Sequence, residues 1–144
     1  ENTPGIAGLL TAVECYPASA AKTMMGLKMR LLKGMRAQIP DLVVNGPDPE
    51  AGAPHILNLG FPGVRGEVLL HALEAKGVYV STGAACSSKK RRVSAVLSAM
   101  GISPDAAEGA LRFSLCPDTR ESQIDYACRC TGELYNTLKR FRRK

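Results

Sequence analysis

The sequence contains no tryptophan, only three phenylalanines and four tyrosines, and no long uninterrupted run of apolar residues. A helix that crosses a bilayer needs roughly 18 or more consecutive apolar residues, so the sequence predicts no transmembrane span. The first residues, Glu1 to Gly5, lack the basic and apolar regions of a secretory signal peptide. We therefore expect a cytoplasmic protein that has no contact with a membrane.

The positive charge of the chain does not favour nucleic-acid binding. The formal net charge is +6, and it is concentrated in residues 89–92 and 139–144. Aromatic residues make up only 5% of the chain, and no known nucleic-acid-binding module is present. The sequence therefore predicts that these cations are solvated or contact an acidic protein partner, with no nucleic acid bound.

The five cysteines indicate free thiols in a reducing compartment. An odd number cannot be fully paired within one chain, and the spacing forms no disulfide framework. Cys128 and Cys130 are separated by one residue, whereas a zinc half-site has two or more between its ligands. With no second cysteine pair and no histidine cluster, we expect no metal site and two helical thiols with Cys128 facing inward.

Three stretches have the periodicity of helices. Residues 6–15 are apolar, Pro17 interrupts them, and Ser19 is a candidate N-cap for a helix from Ala20 to Gln38. A final helix is predicted from about Ser122 onward. Its expected inner face comprises Ile124, Cys128, Leu134, Tyr135, Leu138 and Phe141. Shorter helices are predicted over residues 66–76 and 93–100 and after Ser103.

Strands are predicted between these helices. Residues 42–44, 55–61, 78–80 and 110–115 are short apolar or alternating stretches bounded by turn signals. Short connections and the absence of internal repeats indicate one small layered unit. The predicted fold class is α/β (α+β), with a mixed or antiparallel sheet and helices packed on it.

Cys86 is the candidate nucleophile. It follows the small residues of segment 81–85 and precedes four consecutive cations, residues 89–92. A glycine and small neighbours leave the thiol exposed, and nearby positive charge favours the thiolate form. The pattern therefore predicts a reactive cysteine on a loop rather than a buried structural one.

Arg112 is the candidate binding residue for a carboxylate. It is a single cation in the apolar strand 110–115, and a guanidinium can hold a carboxylate through two parallel hydrogen bonds. An ordinary alternative is an edge-strand arginine paired with Glu108 or Asp118. The pattern leaves both interpretations open.

The stretch from Val80 to Ser88 resembles the active-site loop of cysteine desulfurases of the NifS/IscS type, which belong to the class-V aminotransferases. Three other stretches resemble family motifs in the same order along the chain. They are residues 1–8, which begin Glu-Asn-Thr-Pro-Gly; residues 61–67, with the sequence Phe-Pro-Gly-Val-Arg-Gly-Glu; and residues 110–115, the strand of Arg112.

The resemblance implies the small C-terminal domain of a fold-type I enzyme that depends on pyridoxal phosphate. Cys86 would attack the sulfur of L-cysteine, keep it as a persulfide and release L-alanine, while Arg112 would bind the substrate carboxylate. The sulfur would then pass to a scaffold or other acceptor protein, for iron–sulfur clusters or thiolation. By this comparison residues 1–40 form a helical segment that leads to a large cofactor-binding domain, and residues 41–144 form the small domain with the cysteine loop at 81–92.

The family lysine that binds the cofactor, in its Ser-x-His-Lys setting, has no counterpart in this sequence. We therefore expect a truncated chain that binds no cofactor and is inactive alone, because the cofactor supplies the electron sink. The alternatives are a stand-alone persulfide carrier and a pseudo-enzyme that serves as an interaction module. The apolar residues 6–15 would be uncovered in such a chain, so we also expect a homo-oligomer.

Overall fold

A three-stranded antiparallel sheet forms the centre of the fold. The computed structural model describes residues 1–82 and 94–141. In those ranges the strands are β1 (Val43–Val44), β2 (Ile56–Gly60) and β3 (Ala110–Ser114), in the order β1-β2-β3. Within the long pair, Ile56 is opposite Ser114 and Gly60 is opposite Ala110. The predicted class is confirmed, and of the two sheet types left open, mixed or antiparallel, the described strands form the antiparallel one.

The helices lie close to their predicted positions. Each predicted apolar periodicity corresponds to a helix, and the short helix after Ser103 begins with the Ser103 hydroxyl accepting from the Ala106 N–H at 3.3 Å. Ser19 occupies the N-cap position without a side-chain capping bond. The helices are α1 (Thr3–Glu14), α2 (Ala20–Gln38), α3 (Gly66–Glu74), α4 (Ala95–Ala99), α5 (Pro104–Glu108) and α6 (Glu121–Arg140).

The core lies between one face of the sheet and the helices α2, α3 and α6. Helix α2 packs along α6, while α3 contacts both α6 and β3. The apolar positions spaced three and four residues apart in α2 point into this core, as the sequence predicts. Fully buried apolar side chains include Leu31, Met35, Leu59, Phe61, Leu69 and Leu111.

Helix α1 lies outside this core. None of its residues is buried, and Leu9 and Val13 are 67% and 65% exposed. An apolar groove lined by residues from Ala12 to Ala21 marks the joint between α1 and α2. The expectation that residues 6–15 expose apolar surface is therefore confirmed for this chain. None of the helices in the described ranges has both the length and the apolar character needed to cross a membrane.

Two local predictions are wrong. Residues 78–80 do not form a strand, and the pairing with β3 is limited to one bridge between Ser81 and Arg112. The periodicity of a sequence does not show how far one segment pairs with another. Among the described residues, the segment that follows residues 78–80 pairs with β3 only through Ser81 and Arg112. Phe141 is 76% exposed because it follows the last residue of α6 as its C-cap instead of lying on the inner face.

Candidate functional site

Arg112 lies in the middle of β3 on the face opposite the core. Side chains alternate between the two faces of a strand, and the neighbouring Leu111 and Phe113 are buried while Arg112 is exposed. The same alternation puts Leu57 and Leu59 of β2 into the core. The strand therefore displays one guanidinium on a rigid surface whose other side is packed.

Polar residues flank Arg112 on both sides across the sheet. Asn58 of β2 is directly opposite it, and Ser81 is opposite it on the other edge. Directly opposed residues have Cβ atoms about 4.5–5.5 Å apart on the same face. Asn45 continues this line, because its backbone N–H donates to the Asn58 carbonyl at 3.0 Å and its side-chain amide donates to Asn58 Oδ1 at 2.9 Å. We call Asn45, Asn58, Arg112 and Ser81 the polar row.

Ser81 is joined to Arg112 by three contacts. Its backbone N–H donates to the Arg112 carbonyl at 3.1 Å, and the Arg112 N–H donates to the Ser81 carbonyl at 2.7 Å. The guanidinium Nη2 of Arg112 lies 3.5 Å from the Ser81 hydroxyl oxygen, which accepts from it. The start of segment 81–92 is therefore fixed beside Arg112.

The ion pairs expected from the alternative interpretation of Arg112 do not form. Glu108 instead contacts Arg65, at 3.6 Å, and Asp118 forms no ion pair with any other described residue. Over residues 1–82 and 94–141, no acidic side chain lies within salt-bridge distance of Arg112. Because the planar group is exposed, it is available to a carboxylate from outside the chain.

Cys86 lies outside the described residues, so the structure does not test its predicted role. Ser81 and Thr82 are the last described residues before it along the chain. The structure places Ser81, the first residue of segment 81–92, next to Arg112. The two candidate residues found in the sequence thus belong to segments that meet at one point of the sheet.

The thiols in the described ranges differ in their surroundings. Cys128 is buried on α6, its Sγ lies 3.6 Å from the Leu31 carbonyl, and burial raises its pKa to about 11. Cys130 is also buried. Cys15 and Cys116 are exposed, and the Cys116 backbone N–H donates to the Thr119 hydroxyl at 3.0 Å. A buried thiol with a raised pKa is a poor nucleophile, so Cys128 has a structural role, as its predicted inward position implies.

The described lysines are exposed or engaged in contacts within the chain. Lys28 is buried, but its Nζ donates to the carbonyls of Pro49 at 2.6 Å and Ala53 at 3.0 Å, and so holds a loop in place. Lys139 contacts Asp41. The remaining lysines of these ranges, Lys22, Lys33 and Lys76, are exposed on helices or turns.

Asn58 and Ser81 are site neighbours that periodicity did not reveal. Alternation along each strand predicts which face a residue occupies, but the register between strands decides which residues become neighbours. No short hairpin turn fixes the register between β2 and β3, because three of the described helices lie between them along the chain. The polar row is therefore visible only in the folded chain.

Comparison with known proteins decides the family. The model of the class-V aminotransferases matches residues 1–127 of this chain. The chain belongs to the class-V aminotransferase family. This family member is 39% identical over 142 residues to the cysteine desulfurase of Trichormus azollae, a match that spans 96% of the chain and 35% of that protein. It is 40% identical over 131 residues to the cysteine desulfurase IscS of Clostridium botulinum strain Hall, a match that spans 88% of the chain and 33% of that protein.

Solved structures agree with the family assignment. One NifS-like protein superposes with a TM-score of 0.71 at 32% identity, over 84% of this chain and 29% of the other. The fold of this class-V aminotransferase chain is thus that of the corresponding part of NifS-like proteins. The chain spans about a third of the length of the curated relatives it matches.

Proposed function

We propose that this chain is the sulfur-accepting C-terminal part of a cysteine desulfurase. The observation that carries the proposal is the bridge between Ser81 and Arg112, which places the start of the Cys86 segment beside an exposed guanidinium. A substrate carboxylate held by Arg112 would lie near the point where that segment leaves the sheet. The relatives named as cysteine desulfurases support this choice of reaction.

In the proposed reaction, sulfur moves from L-cysteine to the Cys86 thiolate. The carbon–sulfur bond of the substrate breaks, a sulfur–sulfur bond forms on Cys86, and the substrate carbon takes up a proton to become the methyl group of L-alanine. The cationic residues 89–92 favour the thiolate at Cys86. The persulfide then passes to an acceptor or scaffold protein.

We propose that the cofactor is bound by a part of the protein outside residues 1–144. The described lysines are exposed or engaged in other contacts, and the relatives are about three times as long as the chain. On this proposal residues 1–40 lead to the cofactor-binding domain, and residues 41–144 carry Cys86 and Arg112. The 144-residue chain alone would release no alanine from L-cysteine.

Two preparations test this assignment. The 144-residue chain, mixed with pyridoxal phosphate and L-cysteine, should show no bound-cofactor absorbance and no alanine. A fusion in which the preceding part of the Trichormus azollae relative is joined before Glu1 should release alanine, and its Cys86→Ser variant should not. Alanine release by the 144-residue chain alone, or an inactive fusion that nevertheless binds the cofactor, contradicts the proposal.

We also propose a persulfide carrier as a second candidate function, supported by the four cations at residues 89–92 that follow the Cys86 thiol in the sequence. On this account Cys86 accepts sulfur from a small-molecule persulfide and passes it on without a cofactor. Mass spectrometry of the 144-residue chain after exposure to glutathione persulfide should then show one added sulfur at Cys86. Sulfur at Cys15 or Cys116 instead would exclude a dedicated carrier.

A further inference from the structure

Among the described residues, Ser81 contacts the Arg112 guanidinium directly through its hydroxyl. The pair of backbone hydrogen bonds, at 3.1 and 2.7 Å, fixes the two Cα atoms opposite each other. In that geometry both side chains project from the same face. The Ser81 hydroxyl then lies 3.5 Å from Nη2, at one side of the guanidinium fork.

On its other side, Arg112 is paired with a residue whose side chain is held in place by the fold. Asn58 faces Arg112 across β2 and β3, and its own side chain is held by Asn45 through the 2.9 Å amide bond. Asn45 is 6% exposed, so this end of the polar row is anchored in packed structure. Arg112 is therefore paired on one side with a residue whose amide is fixed and on the other with Ser81, whose hydroxyl contacts the guanidinium.

An arginine side chain has many rotamers, and ordering it costs conformational entropy. A guanidinium that is already oriented loses less entropy when it binds a carboxylate in two-point geometry. We infer that Ser81 is a positioning residue for Arg112. Its hydroxyl orients the guanidinium toward the carboxylate of a substrate bound beside the start of segment 81–92. The inference rests on the proposed function, because it assumes that Arg112 binds that carboxylate.

The test compares two alkylating reagents on the 144-residue chain, with no cofactor present. Iodoacetate carries a carboxylate and iodoacetamide carries a neutral amide of similar size. The ratio of their rate constants at Cys86, read by peptide mass spectrometry, measures how far a carboxylate is held beside that thiol. The cations at residues 89–92 are the same in every variant, and Cys116 provides a reference thiol within each sample.

Arg112→Gln should lower the ratio at Cys86 about tenfold, because it removes a charge-assisted pair of hydrogen bonds. Ser81→Ala should lower it about threefold, as expected for one lost orienting hydrogen bond. Ser81→Thr, which keeps the hydroxyl, should have the same ratio as the wild type. Ser114→Ala is the matched control, since Ser114 lies on the same exposed face of β3 two residues from Arg112.

A double variant separates orientation from a general effect on the fold. In the Arg112→Gln background, Ser81→Ala should cause no further loss, because the group it orients is gone. A threefold loss that persists in that background, or a wild-type ratio in Ser81→Ala, overturns the inference. An unchanged ratio in Arg112→Gln instead overturns the proposed role of Arg112 itself.

Discussion

At the scale of single residues, Tyr135 joins three parts of the fold through one hydroxyl group. It is 1% exposed, and its OH lies 2.9 Å from the Pro62 carbonyl and 3.0 Å from a carboxylate oxygen of Asp41. Lys139 donates to the same hydroxyl at 3.0 Å and to Asp41 at 2.6 Å. Helix α6 is thereby tied to the start of β1 and to the turn that precedes α3.

Removing that hydroxyl should destabilise the chain without changing its shape. Tyr135→Phe removes the hydroxyl that contacts the Pro62 carbonyl and the Asp41 carboxylate and leaves Lys139 as the side-chain donor to Asp41, so we expect a loss of about 1–3 kcal/mol in the free energy of unfolding in urea. Tyr79→Phe is the matched control, since Tyr79 is 80% exposed, and should change stability little. Equal stability of the two variants would contradict the role given to Tyr135.

The Asp41 carboxylate should make stability depend on pH at the acidic end. The hydrogen bond from Lys139, followed by that from Tyr135, lowers the pKa of Asp41 below its ordinary value. Because the pKa is lower in the folded state, the stabilisation is present above the unfolded value of about 3.9 and is lost as the pH falls through the folded value. The stability difference between wild type and Asp41→Asn, measured in urea, should therefore shrink between about pH 5 and pH 3. A difference that stays constant over this range would count against the network.

The site at this scale could be predicted only in part. Cys86 and Arg112 are recognisable because a thiol beside cations and a lone cation in an apolar strand are unusual patterns. Their neighbours are ordinary residues: Asn58 and Ser81 acquire significance only through strand register. Register depends on the whole packed sheet and is not encoded in any one strand.

At the scale of elements, the packing of α2 on α6 depends on a close approach at Gly34. A Cβ atom added at Gly34 would lie 2.6 Å from Cys128 Sγ, closer than any real contact. Gly26 lies on the same helix with nothing within 4 Å of an added Cβ. An added side chain would therefore clash at Gly34 and be accommodated at Gly26.

Gly34→Ala should destabilise the chain by about 1–3 kcal/mol, because the helices must move apart or Cys128 must leave its rotamer. Gly26→Ala should stabilise it by about 0.5–1 kcal/mol through helix propensity. Thermal unfolding of both variants checks the pair. The double variant Gly34→Ala/Cys128→Ala should recover part of the stability lost in Gly34→Ala. If it does not, the contact with Cys128 is not the cause of that loss.

The helices and the two longer strands follow from the sequence because their periodicities are carried by residues that reach the core. In α2, the positions from Met24 to Met35 that repeat every three or four residues are buried. In β3, burial alternates as the sequence does. The predicted strand at 78–80 failed because a strand also needs a partner, and only Ser81 meets one.

At the scale of the whole molecule, helix α1 stands out because every one of its residues is exposed in the described structure. Its apolar side chains are exposed, and across the described ranges it buries none of its residues. A 12-residue helix of this kind is stabilised when another surface covers it. We propose that a second copy of the 144-residue chain provides that surface when no other part of the protein does.

Leu9→Glu should therefore reduce self-association without reducing stability, because Leu9 contributes to no core. Sedimentation velocity over a range of concentrations should show a lower average mass for Leu9→Glu than for wild type. Ala37→Glu, at an exposed position of α2, is the control and should sediment as wild type. A wild-type chain that is monomeric at every concentration would remove the basis for this prediction.

We propose that, in the whole molecule, Cys86 acts on the sulfur of the substrate while Arg112 holds the carboxylate of the same substrate. The most direct test is to locate the sulfur by peptide mass spectrometry after the fusion protein has reacted with L-cysteine. We predict one added sulfur on Cys86, formed in step with alanine, and much less of both products in Arg112→Gln. Undiminished alanine formation in Cys86→Ser, or sulfur found mainly on another cysteine, would contradict the claim.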